Sequence, residues 1–409
     1  MNGSSRDFVY RCFSDFYSSP YTVIPSPAFL DQRELGFLLF KEQIMLRHKG
    51  FSKIDNLKMF LRDAVPSDVY RSCAYYENPA AEMDNKGWLG ADLVFDIDAD
   101  HIPTECDKLH DEWACKECGH IKKGESPKKC IKCGGERFST KTWPCEKCLS
   151  SAKSETSKLI NILQEDFGFS DSEINVFFSG HRGYHIHVEN EAVKSLDAIS
   201  RKEIVDYVTG LGLNIANYHQ KDRKGKKTPK FFLKDFAWSR RIKQGMQDFI
   251  SNATASDLQN IGVGKKISGA LFSKKELILR SITKGLWESV PGIGFGTWRK
   301  IADYVKDKES SKIDTVVTTD THRLIRMNGT LHGKTGLKKV ELSLGNLNDF
   351  DPFREAVAFK EGTVKVFVSD VPEFRVGETA FGPYKLQTVE LPTAAAVLVI
   401  CKDRAEVSN

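Results

Sequence analysis

Asp96 and Asp98, in the run LVFDIDAD, stand two apart at the end of an apolar stretch. Side chains two apart on a strand leave the same face, so both carboxylates can reach one divalent cation. Like charges held side by side near a core are costly until something neutralises them, and Mg2+ or Mn2+ does so. The plain alternative is a strand that ends in two acids facing water. A firm two-metal site needs a third carboxylate, and the candidates are Asp314 in KIDTVV and Asp320 in TTDTHR. The β-branched run around Asp314 predicts a strand, whereas Asp320 reads as a turn or cap residue before RLIR.

Cationic groups supply the other half of such chemistry. SGHRGYHIHV, residues 179–188, holds Ser179, Arg182 and His185. A Ser-Gly turn frees backbone N–H groups, and arginine offers a planar, permanently charged fork for phosphate oxygens. On the strand that follows, Tyr184, Ile186 and Val188 are predicted to face a core while His185 and His187 face a cleft. Downstream, Arg326, His332 and Lys334 surround the glycines of NGTLHGKTG, a loop suited to an anion. Each of these is also explicable as surface charge. Taken together, metal-holding carboxylates opposite phosphate-holding cations are what nucleotidyl transfer requires. The metals acidify the attacking hydroxyl and neutralise the leaving pyrophosphate, while fixed cations keep the triphosphate in line.

Seven of the ten cysteines fall between 106 and 148: Cys106, then CKEC at 115–118, CIKC at 130–133 and CEKC at 145–148. In a chain without a secretion signal, such clustering predicts zinc rather than disulfides. Cys115, Cys118, Cys130 and Cys133, two CxxC pairs eleven residues apart, have the shape of a four-cysteine zinc ribbon.

These groups need a scaffold. FVYRCFSDFY and NLKMFLRDA read as helical, RELGFLLF as a strand, SETSKLINILQEDFG as an amphipathic helix, and INVFFSGHRGYHIHV as two strands about a turn. Residues 191–308 are largely helical and locally basic, and their VPGIGFG is either an ordinary helix–helix turn or a DNA-binding helical hairpin. β character returns over 312–342, and VKVFV and AAVLVI read as short strands of the tail. With 409 residues, 40% hydrophobic and 28% charged, the composition is that of a soluble globular protein of more than one domain. No apolar run approaches the ~20 residues that span a bilayer, which argues against a membrane protein. The start, MNGSSRDFVYRCF, lacks an apolar signal segment, so a cytoplasmic chain is expected. The net charge of +5 is uneven, because residues 201–243 carry 12 Lys/Arg against 4 Asp/Glu. That stretch, with QKDRKGKKTPK and WSRRIK, is either an electrostatic footprint for nucleic acid or a solvated loop.

DID at 96–98, SGHRGYH at 179–185 and IDTVVTTDTHRLIRMNGTLHGKTG at 313–336, in that order, resemble the small catalytic subunit of archaeal and eukaryotic DNA primases, the archaeal form more closely. FYSSPYTVIPS and QRELGFLLF extend the likeness over most of residues 8–340. The resemblance implies an α/β (α+β) fold. Its prim-pol catalytic core of mixed sheets flanked by helices would take residues 1–190 and 309–409, with a zinc-binding knuckle and inserted ribbon at 101–150 and a basic helical subdomain at 191–308. It implies Asp96, Asp98 and Asp314 as catalytic Mg2+ or Mn2+ ligands, the 18-residue interval from Asp314 to His332 favouring Asp314 over Asp320. Ser179, Arg182, His185, Arg326, His332 and Lys334 become the triphosphate cradle. Arg33 and Glu34 match a segment near the initiating nucleotide, and His181 falls at a variable turn position to which no role attaches. The family knuckle uses a Cys, a nearby His and a CxxC before a helix. Cys106, His110, Cys145 and Cys148 meet that description, with His101 and His120 as alternatives to His110, and the ribbon brings the count to two zincs. The implied activity is synthesis of short RNA primers, with DNA as a further product class, from NTPs on a single-stranded DNA template, in a heterodimer with a large subunit. An end-joining prim-pol enzyme fits less well, lacking ligase-like segments here. A non-catalytic zinc-ribbon nucleic-acid-binding protein would account for the cysteines and the basic stretch but leaves the aspartates unexplained.

Overall fold

Two antiparallel sheets carry Asp96, Asp98, His185 and Arg326 among the residues singled out above. In chain order their strands are β1 (Leu35–Leu39), β2 (Met45–Lys49), β3 (Pro66–Ser72), β4 (Leu93–Asp98), β5 (Ile174–Phe178), β6 (Gly183–Val188), β7 (Leu324–Arg326) and β8 (Val340–Leu342). One sheet has the order β7-β3-β1-β2 and the other β8-β5-β6-β4. The computed structural model describes residues 1–40, 44–214, 235–284 and 290–408. The basic run QKDRKGKKTPK therefore lies outside the described residues, while WSRRIK falls in the helix Ala237–Asn252.

The second sheet departs from a simple core-face and cleft-face division. Every residue of β6 is buried, on both faces. His187, expected to line a cleft, is fully enclosed: its Nδ1 lies 2.7 Å from the Arg71 guanidinium and its ring 4.8 Å from the ring of Phe177. A polar side chain can be buried this way because a partner replaces water.

Two stretches expected as strands are helices. Thr315–Thr319, inside the β-branched run, is a short helix. Asp314 caps it, its carboxylate accepting the Val316 N–H at 3.0 Å, and that local bond outweighs the β propensity of Thr and Val. AAVLVI belongs to the helix Thr393–Cys401, in which Ala395 to Ile400 are all buried. A short run apolar on every side does not reveal its period, and a helix hydrophobic all round is a core helix. It packs against the helix Gly3–Ser18 and a three-stranded sheet formed by Thr363–Val371, Tyr384–Pro392 and Ala405–Val407. The surrounding core includes Phe13, Phe37, Leu57, Leu61 and Val397.

The cysteine region builds its own three-stranded sheet from Glu112–Cys115, Ile121–Lys123 and Phe138–Lys141. The last CxxC opens the long helix Glu146–Glu165.

Two compact units emerge. One holds Met1–Ser157, Ser170–Lys202 and Ile313–Asn409; the other holds Lys158–Phe169 and Glu203–Lys312. In the second unit the helices Ala237–Asn252, Lys265–Ser273, Lys275–Thr283 and Phe295–Glu309 enclose Trp238, Met246, Ile278, Trp298 and Ile301. VPGIGFG supplies Gly294 as N-cap of the last of these helices. No helix among the described residues is long and apolar enough to cross a membrane.

Candidate active site and metal centres

Strand register sets the carboxylates. On β4, Asp98 faces Gly183 of β6 and Asp96 faces His185. A side chain at position 183 would collide with the Ile97 carbonyl, so glycine is required for the strands to approach here. Asp314 comes in from far along the chain: its N–H donates to the Asp96 carbonyl at 2.8 Å. Burial, then the charges of Asp98 and Asp314, push the Asp96 carboxyl up to about 7. Burial raises Asp98 as well, with the Arg182 charge opposing it. His185 Nε2 stands 3.6 Å from the Asp96 carboxylate. Burial and then the charges of Lys339, Arg326, Arg323 and Arg71 hold this imidazole well below its usual range, so it is neutral. Asp320 ends the short helix and accepts the His322 N–H at 3.0 Å, the turn role expected of it.

The cationic residues divide into two groups. Arg182, 1% exposed, is engaged by carboxylates: Nη1 donates to Asp111 at 2.8 and 3.1 Å, Nη2 pairs with Asp100, and Nε lies 3.9 Å from Asp98. It thus stands among the acids rather than across from them. The second group gathers about the loop 328–336. The Thr335 hydroxyl donates to the Gly180 carbonyl at 2.6 Å, tying that loop to the Ser179–Gly183 turn. Gly180 adopts φ +87°, and a Cβ there would sit 3.0 Å from that of His332. In the turn, the Ser179 hydroxyl accepts the His181 N–H at 3.3 Å. Arg326 pairs with buried Asp68, which also accepts the Gly333 N–H at 3.0 Å. His332 Nδ1 accepts the Lys334 N–H at 3.0 Å, which assigns the ring proton of the neutral form to Nε2. The Lys334 side chain is exposed.

Asp68 and Asp111, which hold Arg326 and Arg182, are neighbours of the site that sequence reasoning missed, as is Lys402, whose ammonium meets His181 Nε2. Asp111 carries one readable signal, a carboxylate directly after a candidate metal-ligand histidine. Asp68 and Lys402 carry none. Arg33 and Glu34 are both enclosed: Glu34 accepts from Arg47 at 3.0 Å and pairs with Lys86 at 3.1 Å, and Arg33 pairs with Asp92 at 2.8 Å.

Cys106, His110, Cys145 and Cys148 converge. His110 Nε2 lies 3.3, 3.1 and 3.5 Å from the three sulfurs in that order, and Cys106 is 3.5 Å from Cys148. A tetrahedron with Zn–S near ~2.3 Å has edges of about 3.8 Å, so this donor set fits zinc and is too open for disulfides. His101 is exposed and the His120 ring packs on Trp113, which leaves His110 as the fourth donor. Cys115 lies 3.6 Å from Cys133, and Cys118 lies 3.7 Å from Cys130, a second set that fits zinc. Among the described residues, Asp92, His187 and Glu189 also bring donors within 4.8 Å, but Arg33 and Arg71 already neutralise Asp92. Carboxylate oxygens are hard donors suited to Mg2+ or Mn2+, but among the described residues those of Asp96, Asp98 and Asp314 do not gather within 4.8 Å of one another as the two cysteine sets do, since Asp314 turns its carboxylate to the Val316 N–H. The raised proton affinity of Asp96 and Asp98 marks acids held together without a neutralising charge.

Fold and site together define an α/β protein with two cysteine centres and a pair of strand carboxylates beside buried cations. The profile of the DNA primase small subunit family matches residues 138–344. The DNA primase small subunit PriS of Nitrosopumilus maritimus is 31% identical over all of both chains. That of Methanococcoides burtonii is 33% identical over 99% of each, and that of Archaeoglobus fulgidus 32% over 97% of each. The chain belongs to the DNA primase small subunit family, and its core is of the prim-pol class.

Proposed function

We propose that this chain makes short RNA primers, with DNA as a second product class, from NTPs on single-stranded DNA at the start of replication. The observation that carries the reading is the backbone bond by which Asp314 meets Asp96 beside Asp98, near enough for the charges of both to raise the Asp96 carboxyl. Asp96, Asp98 and Asp314 would hold the divalent ions, which when bound acidify the attacking 3′-hydroxyl and offset charge on the leaving pyrophosphate. His332, Lys334 and Arg326 hold the triphosphate from the loop side. Ser179 and the backbone of its turn close the cradle. His185, neutral and with Nε2 3.6 Å from the Asp96 carboxylate, offers a donor to a phosphate oxygen without adding charge beside the metal ligands. Arg182 keeps the Asp98 end of the strand in place through Asp100 and Asp111 and offers positive potential to the incoming phosphates. Knuckle and ribbon each take one Zn2+.

The relatives are named as small subunits, so a large subunit is the expected partner in a heterodimer. A zinc-ribbon binding protein without catalysis would have no use for Asp96 and Asp98 side by side with Asp314 bonded to their strand.

The test is incorporation of labelled ATP on unprimed single-stranded DNA with Mg2+ or Mn2+. Product from the wild type, lost in Asp96→Ala while DNA binding persists, supports the assignment. Equal product from that variant overturns it.

A further inference from the structure

Four lysines are buried among the described residues: Lys86, Lys108, Lys339 and Lys402. Three have conventional partners. Lys86 pairs with Glu34 at 3.1 Å, Lys108 donates to the Asp100 carbonyl at 2.9 Å, and Lys339 donates to the Arg326 carbonyl at 2.8 Å. The ammonium of Lys402, 5% exposed, has a single hydrogen-bond partner among the described residues, the Nε2 of His181. Burial and then the charges of Lys402, His332 and Lys334 hold His181 well below its usual range, so this partner is a neutral imidazole. An ammonium has three donors, and a buried one without an anion in contact is poorly compensated.

Its surroundings show where an anion would come from. The His181 ring stacks on that of His332, centroids 5.2 Å apart. Arg182 and Lys334 are near enough for their charges, after burial, to push the Lys402 ammonium down to about 7. Arg182 is met by Asp100 and Asp111 and Arg326 by Asp68, but no acid stands in hydrogen-bond contact with the Lys402 ammonium among the described residues.

We propose that Lys402 is a further nucleotide-binding residue, contacting the β- and γ-phosphates of an incoming nucleoside triphosphate together with His332 and Lys334. The inference rests on the nucleotidyl-transfer reading above. The α-phosphate must react at the carboxylates, which leaves the pyrophosphate portion for the side of the cradle where Lys402, His181 and His332 meet. Nothing in the sequence motifs reaches this far toward the C-terminus; the buried helix Thr393–Cys401 delivers the lysine.

Inorganic pyrophosphate, ATP and AMP are the probes. In Lys402→Gln, inhibition of primer synthesis by pyrophosphate should weaken about tenfold or more and the KM for ATP should rise alongside it, as loss of a charge-assisted bond demands. AMP affinity should not move, and Lys402→Arg should restore most of the loss. Pyrophosphate inhibition equal to wild type in a Lys402→Gln protein that melts normally overturns the proposal. Should that variant fail to fold, the wild-type protein carries the test: acetylation of Lys402, read by mass spectrometry, should be suppressed by MgATP and not by adenosine. Equal labelling with both overturns it. A wild-type protein that neither makes primers nor binds ATP would sink the nucleotidyl-transfer reading itself, an outcome separate from either result on Lys402.

Discussion

The knuckle and the ribbon use the same chemistry to different ends. In the knuckle, His110 passes its second nitrogen to Asp111 at 2.8 Å, and Asp111 also accepts the Trp143 N–H and both bonds from Arg182. Arg182 in turn flanks Asp98. A metal at the knuckle is therefore separated from a proposed catalytic carboxylate by His110, Asp111 and Arg182, the last of which approaches Asp98 at 3.9 Å. The ribbon's sulfurs are turned inward, although its Lys123 reaches Asp370 at 2.7 Å and its Gly124 N–H donates to the Asp111 carbonyl at 2.9 Å. Its sulfurs accept N–H groups of Lys132 and Gly135, and Cys115 and Cys130 pack with Trp113, Cys118 and Phe138 in a small separate cluster. Two centres of nearly identical donor geometry thus have different reach. What a structural metal does for a reaction depends on what the carboxylate behind its histidine holds.

The comparison breaks most easily at the knuckle. Cys145→Ser with Cys148→Ser should remove one zinc per chain, lower the melting temperature and cut primer synthesis about a hundredfold, because Asp111 loses its anchor. Metal analysis alongside the priming assay reads both effects. Asp111→Asn asks for less: both zincs should stay, while activity falls about tenfold as the Arg182 fork loses a charged partner. Full activity in that variant would show that the connection to the carboxylates carries no function. Cys130→Ser with Cys133→Ser should release the other zinc and leave the rate within about threefold of wild type. A loss there as large as at the knuckle would erase the distinction drawn between the centres.

The smallest expected effect concerns the acids to which the knuckle is connected. Asp96 ordinarily titrates near 4 and is raised to about 7 in the folded chain. Between those values the metal-free native state holds a proton that the unfolded state gives up, so stability falls as pH rises through that window. Metal-free protein should accordingly melt higher at pH 5 than at pH 7.5. Asp96→Asn should flatten that slope and gain about 1–2 kcal/mol at pH 7.5 without metal, measured by thermal melts in chelator.

Much of this was legible from residue order because the forces concerned act locally. Alternation gave β4 and the pair Asp96 and Asp98, the turn glycines marked the start of β6, and CxxC spacing specified the four-cysteine set, while the knuckle set came from the family resemblance with His101 and His120 still open. Local reading failed where it met a longer-range balance. The run TVVTT looked like a strand until an aspartate cap made it helical, and AAVLVI looked like one until a surrounding core made an all-apolar helix stable. Tertiary structure alone decided that Asp314 meets the Asp96 backbone 218 positions away, that Arg182 answers to Asp100 and Asp111, and that Lys402 arrives behind His181 with no acid in hydrogen-bond contact. Hydrogen bonds and side-chain periods are settled within a few residues of chain, whereas the neutralisation of buried charge depends on whichever groups folding brings together.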